Sequence, residues 1–538
     1  MQRESRKEFG YSVGASIALA LAVVAGLMIE NPYEVSLRDT VRPLLVLAGV
    51  AIIGTFLAGL VHRRLMPIFA AALYAFFQYA PLRELIPYDR WDGVMTVAIL
   101  ALALCGLFLV LRRLDRLRAA RLVFLVSAAV GIGSAAVVAT QVFDELFAAP
   151  VPVIDQEFAT RSLAAAEAAG KMADELPDII YVVPDRYPNA TTLRAEYGYD
   201  NSAFYRELRA RGFVLREDAW ANYPLTFVSL ASTLNGGYLE PLRAAYGPRS
   251  ADRRPVYRLI EQNVVQDRLR RAGYRYVHLG GWWEPTRTSR YAHENYLGYP
   301  PQALLERLPE FEWALVRKTI LPTIFHRLGS GAEDYECVRL KRQLERLRSI
   351  GNERRPVFAF VHMFIPHPPI TMDADGTCLP RALRADNWER FKAGFIQYVQ
   401  HLNAQLLDIV DEQLRRRADS GRKLIFVIQS DEGPYTKPMA QYDDYEFARM
   451  SDRDLKMKMG IVNAILLPQD LKTNVGSLRT PINNWRVIFN AVFGTELAML
   501  PDSAFVYQGG SEWEHVFDFA NVSPALGLAQ SRAEMARH

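Results

Sequence analysis

The stretch Asp178-Ile-Ile-Tyr-Val-Val-Pro-Asp185-Arg186 decides the fold class of this 538-residue chain. Its short apolar, β-branched run is typical of a buried strand. Further strand candidates and several helix-period segments follow, among them Tyr274–Gly280, Val357–Phe364 and Lys423–Ser430 as strands, and Val256–Arg271 and Trp388–Arg417 as helices. Strands that alternate with helices in this way predict an α/β domain, over residues 178–510, with a largely parallel central sheet flanked by helices.

The residues before this domain are predicted to lie in a membrane. Five stretches lack Asp, Glu, Lys and Arg, namely Phe9–Ile29, Pro43–Val61, Leu65–Leu82, Gly93–Leu111 and Leu122–Phe143. Each is close to the roughly 20 apolar residues that a spanning helix needs, so residues 1–145 are predicted to form five transmembrane helices. The third stretch contains Pro67 and Gln78, and a re-entrant third stretch would change the side on which the chain leaves the membrane. Residues 146–177 are expected to form a helical connector, and residues 511–538 a tail.

Positive residues predict the orientation of these helices. Ten Lys and Arg residues lie before the first stretch, between the second and third, and between the fourth and fifth, whereas the other connections hold only Arg38, Arg42, Arg83 and Arg90. Cytoplasmic loops are enriched in Lys and Arg, so the amino terminus is expected inside. Five spans then place the carboxy-terminal domain outside the cytoplasm, in a multi-pass inner (plasma) membrane protein. The alternative is a cytoplasmic carboxy-terminal domain.

Composition excludes two classes of protein. The chain has 63 Lys and Arg against 59 Asp and Glu, and no part carries a strong basic excess, so no nucleic-acid partner is expected. Half of the residues are hydrophobic, which excludes intrinsic disorder. Of the three cysteines, Cys105 falls in the fourth apolar stretch. Cys337 and Cys378 lie in the exported part, where they could form a disulfide or remain buried thiols.

Acidic residues follow two of the predicted strands. Asp185 comes after the first strand, and the doublet Asp431-Glu432 comes after the strand that begins near Lys423. Ligands of open α/β sheets bind at the carboxyl ends of the strands, and carboxylate oxygens bind hard cations. These residues are therefore candidate metal ligands. The alternative for each of them is a turn-forming residue.

A hydroxyl-rich segment, Thr226-Phe-Val-Ser229-Leu-Ala-Ser232, has the spacing of a loop that runs into a helix. A hydroxyl at the start of a helix lies where backbone N–H groups favour an anionic substrate. A coordinated metal would lower the pKa of the Thr226 hydroxyl and make it a nucleophile. The alternative is that Thr226 is a helix N-cap.

Together these motifs resemble the alkaline phosphatase and sulfatase superfamily. The resemblance rests on the acidic residue after the first strand, Thr226 in its T-x-x-S-L-A-S context, the segment Phe364-Ile-Pro-His367-Pro-Pro and the late Ser430-Asp431-Glu432-Gly433 turn. The apolar stretches followed by an exported domain are similar to its lipoteichoic acid synthase-like branch and to the phosphoethanolamine transferases. The resemblance covers residues 178–500 by motif, and the membrane part by architecture.

The resemblance implies one divalent metal ion held by Asp185, Thr226, Asp431 and Glu432, where Glu432 stands in the place of the family's usual His. Such an all-oxygen set favours Mn²⁺ or Mg²⁺, with Ca²⁺ or Zn²⁺ as alternatives. The resemblance also implies that Thr226 is the nucleophile. It implies that His367 binds the substrate and stabilises the transferring group or acts as a general acid.

A second set of residues is expected around the substrate. The segment Gly281-Trp-Trp283-Glu-Pro-Thr-Arg287 resembles the family's pocket loop, which implies that Trp283 and Arg287 line the substrate site. Core packing is the alternative for the tryptophan. His362, five residues before His367, is interpreted as a hydrogen-bonded buried imidazole.

The expected function is a membrane-anchored, metal-dependent phosphotransferase whose Thr226 attacks a phosphodiester and passes the group to an acceptor alcohol or to water. The membrane helices favour a phospholipid headgroup donor and a cell-envelope glycan or lipid acceptor. Sulfate ester hydrolysis is disfavoured because the formylglycine motif C/S-x-P-x-R is matched only approximately, by Cys378-Leu-Pro-Arg-Ala382. The alternatives are a phosphodiesterase or sulfatase-like hydrolase and a non-catalytic membrane-anchored scaffold on the same fold.

Overall fold

The computed structural model describes the chain apart from residues 1, 87–91, 148–149, 170–175, 328–331, 352–354, 384–387, 438, 440–446, 472–474, 476–477, 509–514 and 529–538. The chain divides into two compact units. The membrane unit comprises Met1–Ala149 and Leu308–Gly331, and the sheet unit comprises Pro150–Arg307 and Ala332–His538.

The membrane unit is helical. Its helices are α1 (Gln2–Glu30), α2 (Leu37–Val61), α3 (Leu65–Phe77), α4 (Tyr79–Glu84), α5 (Asp92–Leu111), α6 (Arg116–Leu146), α15 (Glu310–Arg317) and α16 (Leu321–Arg327). Of the apolar window of α1, 61% is buried, against 11%, 11% and 17% for α2, α5 and α6. The first helix is therefore central, and the other three turn their apolar side chains outward, as a surface that faces lipid does.

The third apolar stretch differs from the prediction. It forms the 13-residue helix α3, which ends at Phe77 and is separated from α4 by Gln78. Thirteen helical residues rise about 20 Å, less than the roughly 30 Å of a bilayer core. The prediction of five full-length spans is therefore wrong, because among the described helices four are long and apolar enough to cross a membrane. The third span was predicted by counting apolar residues, and such a count does not reveal that the helix ends before Gln78.

Polar contacts between helix ends show which of these ends lie together at each end of the membrane unit. At one end, Nη1 of Arg64 donates to the Arg112 carbonyl (2.7 Å) and joins the start of α3 to the end of α5. At the other end, Lys318 forms an ion pair with Glu30 (2.7 Å), and the Ala80 N–H donates to the Lys318 carbonyl (3.0 Å). Helix α1 and the α3–α4 pair therefore finish at the same end of the unit.

A segment from far along the chain completes this second end. Phe311 of α15 belongs to the same buried apolar cluster as Val23 and Leu27 of α1. The Leu37 N–H donates to Oε2 of Glu145 (2.9 Å), which joins the start of α2 to the end of α6. The chain thus leaves α6 at the end where α15 packs, and this return of the chain was not anticipated from the sequence.

The sheet unit contains a seven-stranded sheet in the order β2-β9-β8-β1-β5-β3-β4, in which β9 runs opposite to the other six strands. The described strands are β1 (Asp178–Pro184), β2 (Phe213–Leu215), β3 (Arg275–Leu279), β4 (Glu294–Tyr296), β5 (Val357–Met363), β6 (Ile370–Met372), β7 (Cys378–Leu383), β8 (Leu424–Gln429), β9 (Asn463–Leu466), β10 (Phe505–Tyr507) and β11 (Phe519–Asn521). The short strands form two hairpin pairs, β6 with β7 and β10 with β11. The predicted α/β class with a largely parallel sheet is confirmed.

Helices cover both faces of this sheet. They are α7 (Gln156–Ala169), α8 (Ala190–Tyr197), α9 (Ser202–Ala210), α10 (Thr226–Leu234), α11 (Glu240–Tyr246), α12 (Arg254–Glu261), α13 (Val264–Arg271), α14 (Glu284–Arg287), α17 (Ala332–Ser349), α18 (Trp388–Ser420), α19 (Asp452–Met459) and α20 (Asn484–Phe493). Successive residues of β1 enter opposite cores: Ile179 and Tyr181 lie in one apolar cluster, and Ile180 and Val182 in the other. Side chains alternate across a strand, so an uninterrupted apolar run is what a strand buried on both faces requires.

The ends of the sheet unit also differ from expectation. Helix α7 lies in the region expected to be a connector, yet its Phe158 stacks on Phe489 in the core (centroids 5.3 Å apart). Val516 and Phe517, expected in the tail, are fully buried. The disulfide left open from the sequence is formed between Cys337 of α17 and Cys378 of β7.

Candidate metal centre and active site

The carboxyl ends of four adjacent parallel strands, β8, β1, β5 and β3, meet at one edge of the sheet. Asp185 directly follows β1, Asp431 lies two residues after β8, and His362 is the penultimate residue of β5. Ligands of open α/β sheets bind at this edge. The fold thus brings together side chains that are up to 246 positions apart.

Asp185, His362 and Asp431 form a buried group that could hold a metal ion. Each offers one ligand atom, and these atoms all lie within 4.8 Å of one another. Oδ1 of Asp185, Nε2 of His362 and Oδ2 of Asp431 have no hydrogen-bond partner among the described residues. Buried polar atoms are nearly always paired, so three neighbouring buried residues that each leave one polar atom without such a partner fit the lining of a divalent cation site.

The two aspartates of this group have opposite pKa shifts. Burial acts to raise the pKa of Asp185, but the neighbouring His367 and His362 imidazoles outweigh it and lower this pKa to about 2. Burial and the charges of Asp185 and Glu432 raise the pKa of Asp431 to about 7. Two buried carboxylates at this separation repel one another, and a cation between them would relieve the repulsion.

Thr226 lies beside the metal group. It is the first residue of α10, and its hydroxyl lies close enough to the Asp431 carboxylate to oppose the rise in the pKa of that carboxyl. The N-cap position is Leu225, so the interpretation of Thr226 as a helix cap is wrong. The hydroxyl instead combines contact with a candidate metal ligand and a place at the anion-binding end of a nine-residue helix.

A second layer of polar groups orients His362. Its Nδ1 is hydrogen-bonded to the Thr286 hydroxyl (2.7 Å), and the Thr286 carbonyl is bonded to Nε2 of His278 (2.8 Å). The interpretation of His362 as a hydrogen-bonded imidazole thus holds for Nδ1 only. Because Nδ1 is occupied, Nε2 is the nitrogen left to face Asp185, at 3.5 Å from Oδ2.

Glu432 does not join this group. Its Oε1 accepts a hydrogen bond from Nε of Arg186 (2.9 Å), and its Oε2 pairs with Nζ of Lys458 (2.5 Å). The backbone of Gly433 permits this arrangement, because a Cβ there would lie 2.5 Å from the Lys458 carbonyl oxygen. The structure therefore places Glu432 between two cations, while His362 takes the place in the group that the sequence assigned to Glu432.

The predicted substrate residues are distributed around the group. His367 is half-buried, with its ring 6.3 Å from Trp282 and 5.8 Å from Phe364. Burial and the charge of Arg186 lower the pKa of His367 to about 4. Trp283 is also half-buried, with its ring 6.2 Å from that of His362. Both residues remain candidates for contact with a substrate.

Arg287 is placed differently from these two. Its side chain is buried, and its guanidinium donates to the carbonyl of Arg307. Trp282, the residue before Trp283, is 40% exposed and stacks on Phe364. The exposed aromatic face in this loop therefore belongs to Trp282.

Sequence reasoning missed His362 as a candidate ligand, and also missed the positions of Arg186 and Lys458 beside Glu432. His362 lies inside a strand, where an imidazole is usually structural, and only its closeness to the strand end marked it. Arg186 adjoins Asp185, so its position was a usable signal. Lys458 lies 26 residues after Glu432, and no sequence pattern links the two.

No family model and no curated protein matches the sequence. Solved structures do match the chain. The C-terminal periplasmic domain of EcEptC from Escherichia coli is 12% identical with a TM-score of 0.39, and the match covers 66% of this chain and 96% of that chain. The same domain has been solved in complex with Zn. The periplasmic domain of the phosphoethanolamine transferase EptC from Campylobacter jejuni is 10% identical (TM-score 0.36, 59% and 88% covered), and the putative sulfatase yidJ from Bacteroides fragilis is 13% identical (TM-score 0.35, 60% and 76% covered).

Proposed function

We propose that this chain is a membrane-anchored, metal-dependent phosphotransferase that acts outside the cytoplasm on a phosphodiester donor. The observation that carries the proposal is the group of Asp185, His362 and Asp431 close to Thr226 at a helix start, in which each of the three residues has one buried polar atom without a hydrogen-bond partner among the described residues. This arrangement combines a cation site, a nucleophile and an anion-binding helix end, which are the parts that phosphoryl transfer requires.

Asp185, His362, Asp431 and Thr226 are the residues that would hold the ion. The preference for Mn²⁺ or Mg²⁺ rested on an all-oxygen set that included Glu432. With His362 in the set instead, one nitrogen and three oxygens fit Zn²⁺ or Mn²⁺. When bound, the ion would offset negative charge on the phosphodiester and favour the alkoxide form of the threonine.

The reaction uses the chain's own side chains in two steps. Oγ of Thr226 loses its proton and forms a bond to phosphorus, while the bond from phosphorus to the leaving alcohol's oxygen breaks and that oxygen takes a proton. In the second step an acceptor hydroxyl loses its proton and its oxygen forms a bond to the phosphorus of the phosphothreonine, while the bond from phosphorus to Oγ breaks and Oγ regains a proton, which restores Thr226. His367 is the residue proposed to give and remove the proton of the exchanging alcohols.

The membrane unit supports a lipid donor and an external site. The Lys- and Arg-rich connections lie at the end of the unit where α1 begins, so this end is assigned to the cytoplasm. The chain leaves α6 at the opposite end. A donor held in the bilayer, a phospholipid headgroup, and an acceptor glycan or lipid of the cell envelope fit an enzyme with this layout.

The alternatives are less well supported. The cysteine of the approximate formylglycine motif, Cys378, is bonded to Cys337, so it is not available for conversion to the sulfatase nucleophile. A scaffold would have no use for three buried ligand atoms without partners, whose burial opposes folding. Hydrolysis differs from transfer only in that water is the acceptor.

The test is metal content and turnover of the purified full-length protein in detergent. We expect about one divalent ion per chain and turnover of bis(p-nitrophenyl) phosphate that is lost on chelation and restored by Zn²⁺ or Mn²⁺. Asp431→Asn is expected to lose both the ion and the activity. A parent protein with neither metal nor turnover would support the scaffold.

A further inference from the structure

Arg186, the residue after Asp185, has an unusual backbone. Its φ is +62°, a left-handed conformation that glycine adopts without strain and that side-chain-bearing residues rarely adopt. The strained residue also lies within the site, since its N–H donates to Oδ1 of Asp431 (3.2 Å). Strain kept at a functional site indicates that the side chain itself is used.

The guanidinium of Arg186 is held on three sides. Nε donates to Glu432 (2.9 Å) and lies 3.6 Å from Oδ1 of Asp185, and the ring centroid of Tyr435 is 3.5 Å from its central carbon. The residue is only 7% exposed. Its Nη1 has no hydrogen-bond partner among the described residues. A guanidinium whose Nε lies 3.6 Å from the candidate ligand Asp185 therefore has one buried donor without a partner in the described part of the chain.

The number of buried charges in the site also indicates that the site binds an anion. Three buried carboxylates, Asp185, Asp431 and Glu432, face two buried cations, Arg186 and Lys458. The set carries one net negative charge, which a divalent ion would turn into one positive charge. A singly charged anion would then neutralise the site, and a phosphodiester carries one negative charge.

We propose that Nη1 of Arg186 binds a non-bridging oxygen of the substrate's phosphodiester group, and that Glu432 and Lys458 fix the guanidinium for this contact. This inference rests on the proposed function and adds a binding residue to it. It also gives a role to the glutamate at the family's histidine position, which holds the arginine rather than the ion. An arginine N–H and the positive charge behind it are well suited to a phosphate oxygen.

The test is binding of inorganic phosphate to the metal-loaded full-length protein in detergent, measured by calorimetry, with metal content and melting temperature recorded for each variant. Arg186→Gly removes the guanidinium and suits the backbone. We expect phosphate binding about tenfold to a hundredfold weaker, the effect of losing one charge-assisted hydrogen bond. Metal content should be unchanged, and Arg186→Lys should lie between the two. Arg453→Gln, at an arginine with a 73% exposed side chain, is the matched control and should bind like the parent.

The outcomes separate this inference from the proposed function. Phosphate binding that is equal in the parent and Arg186→Gly, or undetectable in the parent, overturns the role of Arg186. Phosphodiester turnover with an unchanged KM in Arg186→Gly also overturns it and leaves the proposed function intact. Phosphate binding that depends on Arg186 in a protein without turnover supports the anion site and contradicts the transferase.

Discussion

Glu432→Gln tests whether this residue binds the metal or the two cations. The substitution keeps the size of the side chain and removes its charge. In the structure Glu432 is bonded to Nζ of Lys458 (2.5 Å) and to Nε of Arg186 (2.9 Å), and it lies outside the group of three ligand atoms. We therefore expect a loss of stability without a loss of metal.

The size of this loss follows from burial. The side chains of Glu432 and Lys458 are 1% and 0% exposed. Removal of one partner from a buried pair leaves an uncompensated charge and costs about 3–5 kcal/mol. The Arg211–Asp411 pair is the control, because the side chains are 20% and 54% exposed and Asp411→Asn should cost at most about 1 kcal/mol.

The assay is urea unfolding of the full-length protein in detergent, followed by tryptophan fluorescence, beside metal analysis of each variant. Adding Lys458→Met to Glu432→Gln should recover at least half of the lost free energy of unfolding, since it removes the unpaired cation. If Glu432→Gln loses its metal and keeps its stability, Glu432 is a ligand and the assignment of His362 is refuted.

Three further predictions address the nucleophile, the metal-free state and the orientation. Thr226→Ala should lower phosphodiester turnover by several orders of magnitude, whereas Ser229→Ala, three residues along the helix, should cost far less; the reverse order in the two turnover numbers would move the nucleophile. In the chelated protein the pKa of Asp431 is raised to about 7, so the folded state holds a proton that the unfolded chain releases near pH 4. Asp431 should therefore contribute a fall in the stability of the metal-free protein as the pH rises from about 4 to about 7, opposite in sign to the contribution of His367, and the difference between the melting curves of the parent and Asp431→Asn should show this fall. A reporter fused after Phe143 should be active only outside the cytoplasm and one fused at Asp115 only inside, and the opposite pattern would contradict the assigned orientation.

The fold could be predicted from the sequence where the local hydrophobic pattern agrees with the burial of the chain. The run after Asp178 is apolar at every position because β1 is covered on both faces. A short apolar run of this kind is typical of a buried strand, so β1 could be predicted. The same kind of pattern misled at the third membrane stretch, where the residues are apolar but the helix breaks at Gln78. The return of α15 to the membrane unit depends on Phe311 meeting Val23, and contacts between residues that far apart leave no local signal.

The residues of the site also divide into those that the sequence predicts and those that only contacts in the structure reveal. Asp185 and Asp431 were found because they follow strands, and strand ends converge in a parallel sheet. Glu432 was assigned to the metal by its position after Asp431, but Lys458 and Arg186 compete for its carboxylate, and only the three-dimensional contacts show this. His362 was not predicted as a candidate ligand, because an imidazole inside a strand usually forms hydrogen bonds with both of its nitrogens.

The covalent intermediate on Thr226 can be detected by mass spectrometry of the peptide that contains this residue, after incubation of the metal-loaded full-length protein with membrane phospholipids. The proposed mechanism predicts a phosphorus-containing adduct on Thr226, with the mass of the donor's transferred group, that disappears when the acceptor is supplied and is absent from Thr226→Ala. Turnover of the donor without any adduct on this peptide, or an adduct on another residue that persists in Thr226→Ala, would contradict the mechanism.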